Sequence, residues 1–351
     1  MLRSPHAWLL ALSITLLSHR APAQAEPAAP PPASPACENV PHSDHPHVQI
    51  TNRRMNAVVF LPDQERGYYR AARFDWSGLV ACASLNGHTF FGEWFNRYDP
   101  LTNDAVTGPA EEFREPLGYE DAKPGDPFVK IGVGVLKRVD DQPYKIGTGF
   151  PILDHGKWTV KVHKNSITFR QELRSPIGYA YVYEKVLSLD KKTNVLQLSH
   201  SLKNTGSKPL DTTVYDHDFF MLDNSPTGPG MEVHFRFVPV PAKPYPDSVQ
   251  IEGTTIKWVA LSQPHHYPSG EITGFSGKVS DFDFTFEDTQ HDLGVEETSD
   301  SPIAKFFFWS TPKTVCPEGF IAIHVMPGQT QKWTLHYRFF THIASGPKNS
   351  S

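Results

Sequence analysis

Cysteine is scarce in this chain: Cys37, Cys82 and Cys316 are the only three among 351 residues. So low and odd a count excludes a disulfide framework, and the wide spacing excludes a structural zinc site. One bridge is possible, and the choice of its partners stays open. Runs of basic residues are also lacking: 33 Lys and Arg face 38 Asp and Glu, for a net charge of −5. Nucleic acid is excluded as a partner, because phosphate neutralisation needs clustered Lys and Arg. No segment keeps a 3.6-residue apolar period over three turns, which argues against a helical bundle. Long apolar runs are missing too. The uncharged run Ala7 to Leu17 has eleven residues, about half of what a bilayer core requires.

That short run has another reading. Arg3 precedes it and Ala23-Gln24-Ala25 follows, the order of a positive n-region, an apolar h-region and a small-x-small cleavage site. The expectation is an export signal over residues 1–25 and a protein that is periplasmic or secreted, with no membrane contact after cleavage. Pro27 to Ala36 (PAAPPPASPA) then favours extended polyproline II and offers nothing to pack. Residues 26–45 are expected to be a linker, 46–342 a single domain and 343–351 a flexible tail.

Within that domain the chain is rich in aromatics (23 Phe, 12 Tyr, 7 Trp) and punctuated by 32 Pro and 24 Gly. Period two dominates. Leu196, Leu198, His200 and Leu202 alternate with polar residues, as do Val233, Phe235 and Phe237, and Trp333, Leu335, Tyr337 and Phe339. Such alternation signals antiparallel strands with one packed face. Further strands are expected at Val129–Val139, Trp158–His163, Ile167–Leu173, Tyr179–Leu189, Asp281–Glu287, Ala304–Trp309 and Phe320–Val325. Turn residues such as Asn204-Thr205-Gly206 separate them. The fold class is all-β, a large two-sheet β-sandwich. Tyr98–Phe128, acidic and proline-rich, reads as a long loop; its adjacent Glu111 and Glu112 read as a solvated run of which at most one faces a site.

The stretch from Tyr181 to Leu222 pairs two strands with Asn204-Thr205-Gly206-Ser207-Lys208-Pro209-Leu210 and ends in Tyr215-Asp216-His217-Asp218-Phe219-Phe220. Later come Thr314-Val315-Cys316-Pro317-Glu318-Gly319 and the turn Pro327-Gly328-Gln329-Thr330. In this order the motifs resemble the aldose 1-epimerase (galactose mutarotase) family, with Phe219 where that family usually carries Tyr. The resemblance implies the galactose mutarotase-like supersandwich, no metal or other cofactor, and a monosaccharide or glycan end as the ligand. It implies Glu318 as a general base and His217 as a general acid on opposite sides of a pyranose. Between them they would remove the C1 hydroxyl proton and protonate the ring oxygen. His217 should then keep its proton near neutral pH, aided by Asp216 or Asp218, which share the other strand face and read as exposed.

A sugar-binding arginine is sought at Arg70 or Arg73, and a second histidine at His88, while the family's sugar-binding aspartate has no clear counterpart. Trp76, Trp94 and Phe95 are candidates for stacking on sugar C–H faces. His42, His45 and His47 with Asp44 form a leader cluster capable only of adventitious metal binding. Two other readings stand beside the isomerase: a carbohydrate-binding sandwich without catalysis, and a polysaccharide lyase or hydrolase. A lyase acting on an anionic sugar fits a net-acidic chain less well.

Overall fold

The computed structural model describes residues 36–341; the signal segment, most of the Pro/Ala tract and the C-terminal tail lie outside the described residues. Among the described residues there is no α-helix, only two single 3₁₀ turns at Leu222–Asn224 and Val279–Asp281. The all-β expectation holds. A ten-stranded antiparallel sheet runs from an edge at Val249–Glu252 through Leu293–Ser299, Thr330–Thr341, Val195–Asn204 and Ala180–Leu189 to the other edge at Lys157–His163. A six-stranded sheet takes the order Val240–Pro241, Ser269–Thr273, Lys305–Ser310, Val315–Val325, Leu210–His217, Ala110–Phe113. Smaller sheets of four strands (His47 to Thr89) and three strands (Pro127 to Asp154) complete the molecule.

The alternating residues sort as their pattern requires. Leu196, Leu198 and Leu202, Val233 and Phe235, and Leu335 and Phe339 are all buried in one continuous core. Strand ends differ by a residue or two from the sequence expectation, with two informative exceptions. Val129–Val139 is not one strand but a hairpin, Pro127–Lys130 with Gly134–Lys137. Gly132, at φ +80°, makes the turn, and a Cβ there would meet the Asp75 side chain at 2.6 Å. The expected Phe320–Val325 strand begins earlier, at Val315, and so takes in Cys316 and Glu318.

The acidic segment is not a solvated loop. Ala110–Phe113 is the edge strand of the six-stranded sheet, and Glu111 and Glu112 are 1% and 0% exposed. Successive strand residues point to opposite faces, so the two carboxylates need separate compensation. Glu112 is held by Arg73 Nε at 2.9 Å and Lys130 Nζ at 2.8 Å, and it accepts the Tyr215 hydroxyl at 2.6 Å. Glu111 faces the inter-sheet core, where Lys185 Nζ lies 2.6 Å away and the Tyr183 hydroxyl donates at 2.7 Å. Lys185 also pairs with buried Asp75 at 2.7 Å.

Residues 36–45, expected to be linker, pack against the body. Cys37 is bonded to Cys82 across 45 residues, and Cys316 is free and buried. His42 stacks on Tyr98 at 3.9 Å, and His45 bridges the Arg66 carbonyl and the Tyr98 hydroxyl. These histidines serve packing; none belongs to a metal-donor group among the described residues.

Two stability outcomes follow. Glu112→Gln leaves buried Lys130 without its carboxylate and Arg73 with Asp104 alone, and should cost about 3–5 kcal/mol in urea unfolding. Although burial opposes it, Lys130 and Arg73 hold the Glu112 carboxyl down at about 2 against an ordinary 4.5. Its contribution is therefore present above pH 4.5 and is lost as the pH falls towards 2, and Glu112→Gln should flatten that acid limb. Separately, Cys37→Ser should lower stability by roughly 2–4 kcal/mol, read from the same denaturation curves.

Candidate active site

The site grows out of one strand pairing. Leu210 to Val214 lies antiparallel to Ile321 to Val325, with Val214 opposite Ile321. Continuing that register sets Tyr215 opposite Phe320, His217 opposite Glu318 and Phe219 opposite Cys316. The contacts agree. The Tyr215 and Phe320 rings stack at 4.1 Å, His217 Nε2 stands 3.4 Å from Glu318 Oε1, and the Phe219 N–H donates to Cys316 Sγ at 3.3 Å. On the far side of this pair the Lys305–Ser310 strand sets Phe307 opposite Glu318 and Trp309 opposite Cys316. Every second residue of three strands thus shares one face, and that face floors a cleft of about 350 Å³. The volume suits a small polar ligand. Gly319 makes room on the reverse face, where a Cβ would meet the Phe282 ring at 2.6 Å.

His217 is tightly framed. Phe219 stacks on it at 3.9 Å and 5°, Trp94 stacks on Phe219 at 5.1 Å, and Trp309 meets the imidazole edge-on at 5.0 Å. Phe219 reaches this position through a left-handed backbone, φ 48°, which turns its ring back over its neighbour two residues before. Phe74 closes another side at 5.8 Å and carries the Arg73 guanidinium on its face at 4.3 Å. His217 Nδ1 is buried with no hydrogen-bond partner.

This environment changes the expected charge state. Burial, with a smaller push from the nearby Arg73 charge, lowers the His217 pKa well below the ordinary 6.5. Burial raises the Glu318 carboxyl well above 4.5, outweighing the pull of Arg73. His217 is therefore shifted toward its neutral form, contrary to the expectation that it keeps its second proton, and Glu318 toward its protonated form. Asp216 and Asp218 do not assist, because they point away into the inter-sheet core and are buried rather than exposed. Tyr337 donates to Asp216 at 2.6 Å and lies 3.2 Å from Asp218. Burial and the Glu111 charge push Asp216 up to about 6; burial and Glu297 push Asp218 well above its usual range.

Four of the six candidate residues line the cleft: His217, Glu318, Arg73 and Trp94. Arg73 is 7% exposed, bridging Glu112, Asp104 and the Tyr215 hydroxyl. The other two do not. His88 pairs with Asp223 at 2.7 Å on the four-stranded sheet. Trp76 is buried beside His155, its indole N–H on the Ala71 carbonyl, and borders a different hollow together with Arg70. His217 and Glu318 are also not on opposite flanks of a ligand; they are adjacent on one wall. Sequence reasoning missed Trp309, Tyr215, Asp104, Arg114 and Lys305, all at the cleft. Tyr215 and Trp309 were within reach of the alternation argument: each lies two residues or one strand from a named partner on the same face.

Two groups of side chains carry metal-ligating donors within 4.8 Å of one another among the described residues: His217, Cys316 and Glu318, fully buried, and Glu232, His234 and Glu287 on the outer sheet face. No helix among the described residues is long and apolar enough to cross a membrane.

No protein-family model matches the chain, and no curated protein does. Solved structures do. A galactose mutarotase-like protein from Clostridium acetobutylicum aligns over 86% of this chain and 97% of its own, at TM-score 0.53 and 12% identity. A protein from Synechocystis sp. PCC 6803 aligns over 85% and 97%, at 0.52 and 14%. A protein from Escherichia coli K12 with a provisional aldose 1-epimerase assignment aligns over 84% and 99%, at 0.51 and 13%. At such identities the likeness speaks to architecture, and on that ground the chain has the galactose mutarotase-like β-sandwich fold of the aldose 1-epimerase-like proteins.

Proposed function

We propose that this protein is an exported aldose 1-epimerase-like isomerase that interconverts sugar anomers by acid/base ring opening and closure. The observation that carries the reading is the His217–Glu318 pair, 3.4 Å apart and buried at the floor of a sugar-sized cleft. Anomerisation moves one proton off the C1 hydroxyl and one onto the ring oxygen. Both oxygens are bonded to the same carbon, so a donor and an acceptor side by side on one wall can address both. In the resting arrangement Glu318 donates to the ring oxygen and neutral His217 accepts from the C1 hydroxyl. Closure from the other face of the carbonyl returns each proton, and the pair ends as it began.

The rest of the cleft fits this task. Arg73 presents a fixed guanidinium beside the pair, and Trp94 and Trp309 offer apolar faces for sugar C–H groups. The second carboxylate on this face, Glu112, is fully committed to Arg73, Lys130 and Tyr215. Asp104, the other acid lining the cleft, is paired with Arg73, so neither is a free partner for a glycoside hydrolase, whose chemistry needs two carboxyl groups at a set separation. Export is supported by the order of residues 1–25 and by the Cys37–Cys82 bridge, which suits an oxidising compartment.

The direct test follows α/β exchange of freshly dissolved aldohexoses by polarimetry or saturation-transfer NMR. The wild type should accelerate exchange over buffer, and Glu318→Gln should reduce kcat by about 10²–10⁴-fold. Sugar binding without acceleration would instead mark a binding module; release of unsaturated or new reducing ends from a polysaccharide would mark a lyase or hydrolase.

The pH profile gives a second check. A one-proton pair is active between its two ionisations, so kcat/KM should be bell-shaped. The acid limb, protonation of His217, should fall well below pH 6.5, and the alkaline limb, loss of the Glu318 proton, well above pH 4.5. Any remaining activity of Glu318→Gln should lack the alkaline limb, since an amide has no proton to lose.

A further inference from the structure

His217 and Glu318 share their corner of the cleft with a third donor that mutarotation does not need. Cys316 lies two residues before Glu318 on the same strand face, opposite Phe219, and is fully buried. One ligating atom from each of the three lies within 4.8 Å of the other two. For donors so placed there is always a point within about 2.8 Å of all three, and small side-chain rotations bring that to the 2.0–2.3 Å of zinc–nitrogen, zinc–oxygen and zinc–sulfur bonds. The donors are also weakly engaged. His217 Nδ1 is buried without a partner, Nε2 is 3.4 Å from Glu318 rather than at a full hydrogen bond, and Cys316 Sγ accepts a 3.3 Å contact from the Phe219 N–H beside a contact with the Thr314 side chain.

We propose that His217, Cys316 and Glu318 form a binding site for a thiophilic divalent cation of the zinc class, and that its occupation and proton transfer exclude each other. Imidazole, thiolate and carboxylate together favour Zn²⁺ or Co²⁺ over Mg²⁺ or Ca²⁺, which take oxygen ligands. Three protein ligands leave a fourth position, and the site faces the cleft through His217 and Glu318, so a water or a sugar hydroxyl can take it. On binding, the thiol and the carboxyl each release a proton to solvent, and new S–metal and O–metal bonds replace the S–H and O–H bonds. The lone pairs that pass the proton during anomer exchange are then committed to the metal. The second half of the proposal, exclusion, rests on the function proposed above; the site itself does not.

Cobalt reads the site independently of activity. With Cys37 and Cys82 bridged, Cys316 is the sole thiol of the chain. One equivalent of Co²⁺ added to the full chain should give a near-ultraviolet thiolate-to-cobalt charge-transfer band, which Zn²⁺ should erase by displacement. Cys316→Ser should lose the band. Glu318→Gln, which keeps the thiol, should show the band with affinity at least ~10-fold weaker. A denaturation curve for each variant establishes that it is folded, and the Glu318→Gln titration keeps the test alive if the serine variant is not. The Glu232, His234, Glu287 group has no sulfur, so metal bound there gives no such band. Absence of the band in wild type, or its persistence in folded Cys316→Ser, overturns the site. For exclusion, wild-type anomer exchange should be suppressed by stoichiometric Zn²⁺ and restored by a chelator; an unchanged rate with zinc bound overturns it. A cobalt band in a protein that never accelerates anomer exchange leaves the site standing and defeats the mutarotation reading alone.

Discussion

Two neighbouring glutamates on an edge strand set the terms for the rest of the molecule. Glu111 and Glu112 are buried on opposite faces of the six-stranded sheet, and a buried carboxylate without a partner is among the most costly things a fold can contain. Glu112 recruits Arg73 and Lys130 on the cleft side; Glu111 recruits Lys185 between the sheets. Each recruit belongs to a different part of the chain, so satisfying these charges fixes the Gly67–Trp76 segment, the small three-stranded sheet and the large sheet relative to the strand that bears His217. Arg73 is held firmly because Glu112, Asp104 and the Tyr215 hydroxyl all engage its guanidinium.

His217 and Glu318 make the contrast plain. They are just as buried, yet no strong ion pair compensates them, and the physical outcome is neutrality: the carboxyl keeps its proton and the imidazole goes without. The sheet therefore carries two kinds of titratable residue. Those locked in ion pairs are held ionised and serve as architecture. His217 and Glu318, left in an apolar frame at the cleft, are pushed toward their neutral forms within reach of a ligand. This division follows from which side chains received a counter-charge, not from the residue types themselves.

Much of this was legible in the sequence. Period-two alternation is enforced by burial of one sheet face, so Leu196, Phe235 and Leu335 announced their strands. The motif around His217 and the one around Glu318 marked two segments that prove to lie on paired strands, and Arg73 and Trp94 were already candidates. What was not legible depended on partners distant in the chain. Glu111 and Glu112 look like a solvated run unless Arg73, Lys130 and Lys185 are known to converge on them. The protonation of His217 was misjudged because local sequence does not show its burial among Phe219, Trp309 and Phe74, which sit on other strands or reach it only through the fold. His88 and Trp76 drew notice for their chemistry; their placement was decided by Asp223 and by the Ala71 carbonyl, about which sequence spacing says nothing. Arg114 and Lys305 were hidden because their place at the cleft comes from pairing between strands rather than from their own neighbours.

The column of rings over His217 has one more implication. With Phe219 stacked on one face, Trp309 against an edge and Nδ1 facing no acceptor, the imidazole is held in one orientation with Nε2 toward Glu318 and the cleft. A hydrolase at this pair would have to admit a water molecule in every turnover. An anomer exchange would need no co-substrate, so a ring-framed pair facing its cleft could serve it unaided.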